Sequence, residues 1–205
     1  MQLHEDGNII IRFSMFSNWW KDKQSAMERY FPEEPEDISN DWMRFGSKCA
    51  AALEERPLPQ WVAHLAMPQY DIQEYRIIEN IGGYWVRGTL DRYSTELHKI
   101  LDDKCTKTVW SPKKAQEHVQ LDFYSVLVEH RHGWVDDESH IHCIPIDKDE
   151  NDIIRFTGAD PVLLPHITTQ AMRDELKEEI ISTAKDIIIC WEAYQRGDIK
   201  IWEIY

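Results

Sequence analysis

The sequence predicts an α/β domain, because strand-like and amphipathic helical segments follow one another along its 205 residues. Two strand-like segments occupy 84–93 and 97–104, and a short turn between them would make them antiparallel. One helix is predicted before them, over 42–54, and Ser111 begins another after them as its N-cap. At this length we expect one domain with a substantial core.

The first of these helices has a face of small residues that ends in a carboxylate. Asn40 or Ser39 can serve as its N-cap, and Gly46, Ala50 and Glu54 are spaced four residues apart. We expect the small residues to let the helix approach the sheet closely, with Glu54 projecting from the contact face. A glutamate near a helix end is more often a solvated surface group, and Glu55 is the competing position.

Two carboxylates and a lysine lie in the two strand-like segments. Side chains alternate along a strand, so Asp102 and Lys104 should point one way and Asp103 the other. Asp91 shares the face of Asp102 if it pairs with residue 98 or 100, whereas a one-residue slip reverses its face. Paired carboxylates can bind a hard divalent cation, and a nearby lysine can orient water or offset phosphate charge. The pattern therefore indicates metal-assisted phosphodiester chemistry.

The helix that begins at Ser111 carries polar residues for the same site. Gln120 and Tyr124 are four residues apart and share a helix face. Lys113 and Lys114 stand in the first turn, where the helix dipole disfavours cations unless a phosphate lies nearby. The alternative is that both lysines are simply solvated.

The order and spacing of these motifs resemble the PD-(D/E)XK nuclease superfamily, and within it the RecB-like exonuclease branch of phages and bacteria. The matching segments are Gly46 to Glu54, Gly88-Thr89-Leu90-Asp91, Asp102-Asp103-Lys104, Gln120 to Tyr124, and the serine and aromatic residues of 14–20. The resemblance covers about residues 14–128. Each motif is weak alone, but four in this order are specific.

The resemblance implies a fold and an activity. The fold is a central mixed β-sheet flanked by helices, with a restriction-endonuclease-like core. The activity is that of a metal-dependent deoxyribonuclease, foremost an exonuclease in DNA recombination, repair or phage DNA processing. A structure-specific endonuclease and a catalytically silent DNA- or protein-binding member of the same fold are the alternatives.

The resemblance also implies roles for the residues. Asp91, Asp102 and Glu54, with the backbone carbonyl of Asp103, would hold Mg²⁺ or Mn²⁺, while Lys104 would position the attacking water. The residues expected to contact DNA are Gln120, Tyr124, Lys113 and Lys114.

The chain differs from members of the RecB-like branch at Ala50 and in the spacing of its cysteines. Many members of the branch have a metal-binding histidine where this chain has Ala50. Some relatives bind an iron–sulfur cluster through closely spaced cysteines. Here the four cysteines are far apart and form no C-x-x-C pair, so no iron–sulfur cluster is expected.

Composition sets further limits. The formal net charge of −14 gives weak long-range attraction for DNA. The acids concentrate in a few segments, including a predicted linker over 33–41, and can face away from a cleft. We expect modest DNA binding, aided by a partner such as a single-strand-annealing or other recombination protein. No apolar segment is long enough for a membrane span, and no signal peptide is visible, so a cytoplasmic location is expected.

The remaining sequence predicts structure more than chemistry. Residues 139–146 alternate as a strand in which His140 and His142 share a face. A His-x-His pair can bind a transition metal, but structural histidines are far commoner. Apolar residues recur every three to four positions over 168–195, which predicts a long amphipathic helix.

Overall fold

The structure, a computed structural model, describes residues 2–32, 40–55 and 57–198. Within these ranges the strands are β1 (Gln2–Leu3), β2 (Ile9–Arg12), β3 (Ile72–Ile81), β4 (Tyr84–Tyr93), β5 (Ile100–Thr106), β6 (Glu138–Lys148), β7 (Ile154–Phe156) and β8 (Val162–Ile167). The helices are α1 (Phe13–Lys21), α2 (Lys23–Tyr30), α3 (Asp41–Glu54), α4 (Pro112–Gln116), α5 (Val119–His132) and α6 (Gln170–Gln195), with a 3₁₀ helix at Gln60–Leu65. Most of the predicted acidic linker lies outside the described residues.

The strands form one mixed sheet, which confirms the predicted α/β class with helices around a central sheet. β3 pairs antiparallel with both ends of β4, in a ladder that skips Glu74 and Asp91. On the other edge of β4, β2 pairs in parallel at 85–87, and β5 pairs antiparallel at 92–93. Positions 88–91 of β4 therefore have no ladder partner on that edge, which opens the sheet where the candidate site lies.

β6 extends the sheet beyond β5. The two strands are parallel, and β6 also pairs antiparallel with β7 and β8. The predicted C-terminal helix runs Gln170–Gln195, and the Thr169 side chain caps it by accepting from the Met172 amide. No helix in the described ranges is long and apolar enough to cross a bilayer.

α5 packs closely on β4 because Gly88 has no side chain. A Cβ at Gly88 would lie 2.7 Å from Leu127 Cδ1 and 2.9 Å from Tyr124 Cδ1. Every α5 residue from 121 to 128 is buried. The glycine thus fixes how near Tyr124 stands to the strand that carries Asp91.

The prediction of one helix from Ser111 through Tyr124 is wrong, because this segment forms two helices, α4 and α5. Ser111 does cap α4, and its hydroxyl accepts from the Lys114 amide at 3.2 Å. The Ala115 carbonyl, however, accepts from His166 Nδ1 at 2.9 Å, and the Val119 amide bonds to Glu117 instead. Lys114 and Tyr124 consequently lie on different helices.

Candidate functional site

The central feature is a cavity between α3 and strands β3, β4 and β5, which we call the carboxylate cavity. The residues that define it are Gly46, Ala50, Glu74, Asp91, Asp103 and Lys104. The expectation that Gly46 packs closely on the sheet is wrong, because a Cβ there would meet nothing within 4 Å. The small face of α3 borders open space.

The register of β4 and β5 sets Asp91 opposite Asp102. The ladder pairs Arg92 with Leu101 and Tyr93 with Ile100, and continuing it pairs Asp91 with position 102. An even-numbered partner places Asp91 on the face of Asp102, as predicted, although the prediction named residue 98 or 100 as that partner. The strands diverge at this point, and the Asp103 amide donates to Asp91 Oδ2 at 2.8 Å.

Asp102 is buried and paired with Lys104, but it does not itself line the carboxylate cavity. Lys104 Nζ lies 2.6 Å from Asp102 Oδ2, and His118 Nε2 lies 3.4 Å from the same oxygen. Burial raises the pKa of Asp102, but the charges of Lys104 and His118 outweigh it and lower the pKa below its ordinary value. Among the described residues, the buried Oδ1 of Asp102 has no hydrogen-bond partner.

The pKa of Asp91 is shifted in the opposite direction, upward. Burial, followed by the negative charge of Asp102, raises its pKa well above 3.8. Burial would lower the pKa of Lys104, but the charges of Asp102 and Asp91 raise it. Two carboxylates therefore share one ammonium group, and the second carboxylate lacks a countercharge.

Asp103 lines the carboxylate cavity beside Lys104, contrary to the prediction that it lies on the opposite face, but it is paired with other groups. Arg92 binds it through two nitrogens, at 2.7 and 3.0 Å, and His142 Nδ1 lies 2.6 Å from Oδ1. His140 instead contacts the Tyr70 hydroxyl at 2.8 Å. Over the part of the chain that the structure describes, no three His, Cys, Asp or Glu side chains are grouped to hold a metal ion.

Gln120 and Tyr124 extend the site beyond Lys104. Lys104 Nζ donates to Gln120 Oε1 at 3.3 Å, and Gln120 Nε2 donates to the Tyr124 hydroxyl at 2.7 Å. The sequence brought these two residues together on one helix face, and the structure adds the contact with Lys104.

Gln120 and Tyr124 also line a second cavity, which we call the basic cavity. Its other lining residues include Arg12, Ser14, Ser17, Arg87 and Thr89. Burial and then the positive charges of Arg76 and Arg12 lower the pKa of Arg87. Like-charged guanidinium groups beside hydroxyls suit an anion with several acceptor oxygens.

The sequence reasoning missed the basic cavity although part of its signal was visible. Arg87 and Thr89 are two residues apart on one strand and flank Gly88. Arg12 comes just before the serine and aromatic residues of α1. Only the parallel pairing of β2 with β4, which aligns Arg12 with Arg87, brings the two arginines together.

The structure gives the carboxylate cavity a different glutamate from the predicted one. Glu54 is exposed at the last residue of α3 and does not line the cavity. Glu74 does line it, with a φ of 47° that is strained for a residue other than glycine. Burial, and then the charge of Glu54, raises the pKa of Glu74. No sequence pattern announces such a backbone conformation.

Lys113 and Lys114 line neither cavity. Lys113 is 84% exposed and lies 3.7 Å from Glu117, whereas the Lys114 ammonium lies 4.1 Å from the centre of the Trp110 ring. Their surroundings favour the solvated alternative over direct contact with DNA.

The fold is similar to that of two solved structures. One is a candidate exonuclease from Eubacterium rectale, with a TM-score of 0.51 and 11% sequence identity over 98% of this chain and 89% of that one. The other is a phage-related exonuclease from Haemophilus somnus, with a TM-score of 0.50 and 14% identity over 91% and 82% of the two chains. No protein-family model matches the chain, and no curated protein does. At these identities the likeness establishes the fold alone.

Proposed function

We propose that the protein is a metal-dependent deoxyribonuclease that hydrolyses phosphodiester bonds, most specifically an exonuclease. The observation that carries this proposal is the continuous contact from Asp102 through Lys104 and Gln120 to Tyr124. It joins a cavity rich in carboxylates to a cavity rich in arginines. A cation and a phosphate would thus be held on the two sides of Lys104.

The residues at the first cavity fit a divalent cation. Asp102 has an oxygen without a partner in the described part of the chain, and Asp91 is half-buried beside a like charge. Asp91 lines the cavity, and Asp102 does not line it but is paired with its lining residue Lys104. These two carboxylates would hold Mg²⁺ or Mn²⁺, with Glu74 as a further lining carboxylate. When bound, the ion would supply Lewis-acid charge to a phosphate oxygen and lower the pKa of a water molecule.

Lys104 is the group placed to act on the reacting phosphate. Its ammonium is already oriented by Asp102 and Gln120, so it can offset the charge that develops on phosphate oxygens without reorganising. Gln120 keeps that ammonium directed toward the border of the two cavities, and Tyr124 fixes Gln120 in turn. These three residues would position the substrate strand.

The basic cavity provides local positive charge in a chain whose net negative charge disfavours DNA binding. Arg12 and Arg87 would neutralise a neighbouring phosphate of the strand, although the whole chain carries −14. Several acids of the segment 147–152 are meanwhile paired on the surface, including Asp149 with Arg155 at 2.6 Å. Local charge, rather than net charge, would thus govern substrate binding.

The exonuclease form is supported by the names of the two structural neighbours. A silent binding protein is the alternative, and the ion pair between Asp102 and Lys104 argues against it because mere binding has no need of a buried carboxylate there.

The test is incubation of the protein with 5′-labelled linear duplex DNA and with closed circular DNA, each in Mg²⁺, Mn²⁺ or EDTA. We expect a ladder from the linear DNA with either ion and no cleavage in EDTA. Cleavage of the circle at discrete positions would favour the endonuclease form. No cleavage of either DNA in both ions would contradict the proposal.

A further inference from the structure

An exposed cluster of rings lies beside the carboxylate cavity, and we call it the aromatic platform. It consists of Phe45, Trp61, His64 and Phe156, with Lys48 above it. The centres of the Phe45, Trp61 and His64 rings lie 5.5, 5.8 and 5.0 Å from that of Phe156. Lys48 Nζ lies 5.6 Å from the centre of the Trp61 ring.

Core packing explains only part of this cluster. Phe156 is partly buried against a small core of Leu53, Val62 and Leu65, so its position needs no ligand. Trp61 is different, because 39% of it remains exposed and its ring is roughly parallel to that of Phe156, at 26°. An indole held in this way offers flat apolar surface to solvent, which a second flat ring could cover.

The platform is continuous with the candidate site through α3. Phe45 and Lys48 belong to the platform, whereas Gly46 and Ala50 of the same helix border the carboxylate cavity. The two surfaces therefore share one helix, whose residues 45 and 48 belong to one and residues 46 and 50 to the other. Among the described residues, Lys48 forms no ion pair, which leaves its ammonium available to a phosphate.

We propose that the aromatic platform binds an unpaired base of single-stranded DNA, stacked on Trp61, while Lys48 contacts the adjacent phosphate. An aromatic face next to a cation is the combination that binds single strands without reading their sequence. This inference rests on the proposed function and specifies its substrate: the strand enters the site unpaired, as a single strand or a frayed end.

The test measures binding separately from cleavage. Fluorescence anisotropy of a labelled single strand of about 16 nucleotides, recorded in EDTA, reports affinity when no bond is cut. We expect Trp61→Ala to weaken binding about tenfold, which lies in the lower part of the range for losing one stacked base. Trp61→Phe keeps an aromatic face and should stay within about threefold of the wild type.

Trp134→Ala is the matched control. Trp134 follows the end of α5, is 49% exposed, contacts His98, and lies outside both cavities and the platform. It should bind like the wild type. If the wild-type protein does not bind the single strand, or if Trp61→Ala binds it equally well, the platform assignment is wrong whatever the protein cleaves. If Trp61→Ala loses binding but the wild type cuts no DNA in Mg²⁺ or Mn²⁺, the platform stands and the nuclease proposal fails.

Discussion

The backbone amide of Asp103 donates to Asp91 Oδ2 at 2.8 Å, at the point where the ladder between β4 and β5 stops. The hydrogen bond connects two strands that no longer pair, and it holds Asp91 beside Asp102. Like charges are thereby confined in a buried place, which costs stability unless a cation or a proton relieves it.

Divalent cations should therefore stabilise the fold. We expect Mn²⁺ and Mg²⁺ at millimolar concentration to raise the melting temperature above its value in EDTA, because binding to the native state alone shifts unfolding. Asp91→Asn should melt higher than the wild type in EDTA, since it removes the buried repulsion, and should lose most of the shift with Mn²⁺. Equal melting temperatures of the wild type in EDTA and Mn²⁺ would refute a formed metal site.

A second prediction concerns Gly88. Gly88→Ala places a methyl group against Tyr124 and Leu127, and we expect it to lower the free energy of unfolding by about 1–3 kcal/mol, the usual cost of overpacking. Gly46→Ala is the matched control, because its methyl group meets nothing and helix propensity favours alanine by up to about 1 kcal/mol. Urea denaturation of both variants measures the difference, and a neutral Gly88→Ala would contradict the packing described for α5.

A third prediction follows from His166, which is buried between α4 and α5. Burial alone would lower its pKa, but hydrogen bonds to Asp122 at 2.7 Å and to the Ala115 carbonyl outweigh it and raise the pKa above 6.5. Both ring nitrogens face acceptors, so the imidazolium is the form that fits.

A raised folded-state pKa means that this stabilisation is complete below the unfolded pKa of about 6.5 and is lost as the pH rises through the folded value. The difference in unfolding free energy between the wild type and His166→Asn should therefore shrink from about pH 6 toward alkaline pH. Comparing the two proteins removes the contributions of other histidines. A difference that grows with pH would show that His166 is buried in the neutral form.

The basic cavity gives a fourth prediction. If Arg87 contacts a phosphate as proposed, Arg87→Ala should weaken DNA binding and lower the slope of its salt dependence by about one unit. Arg196→Ala, at an exposed position after α6, is the control and should change neither quantity. Binding isotherms at several salt concentrations provide the measurement, and equal slopes for the wild type and Arg87→Ala would exclude this arginine from the interface.

The sequence predicts those parts of the site that lie on regular elements. Strand alternation places Asp102 with Lys104, and helix spacing joins Gln120 to Tyr124. These relationships depend on local geometry, which residue order determines. The mixed sheet requires long-range strand pairing, which periodicity alone does not predict. The expectation of a mixed sheet came from the family resemblance.

The incorrect predictions have different causes. The break between α4 and α5 depends on His166, 51 residues from the carbonyl it binds. Glu74 enters the cavity through a left-handed backbone conformation that its neighbours in sequence do not signal. Glu54 satisfies the helical spacing, yet the helix ends there and its side chain remains exposed. A tertiary contact accompanies the first of these cases, whereas the last reflects where the helix ends.

The central claim is that Lys104 acts on the phosphate and is not simply the countercharge of a buried carboxylate. The most direct measurement compares the cleavage rates of wild type, Lys104→Ala and Lys113→Ala on linear duplex DNA at saturating Mg²⁺, with melting curves in the same buffer to confirm folding. We predict a loss of at least about a hundredfold for Lys104→Ala, the scale of one electrostatic group in a transition state, and an unchanged rate for the exposed Lys113→Ala. A folded Lys104→Ala protein that cuts DNA at the wild-type rate would contradict the assignment.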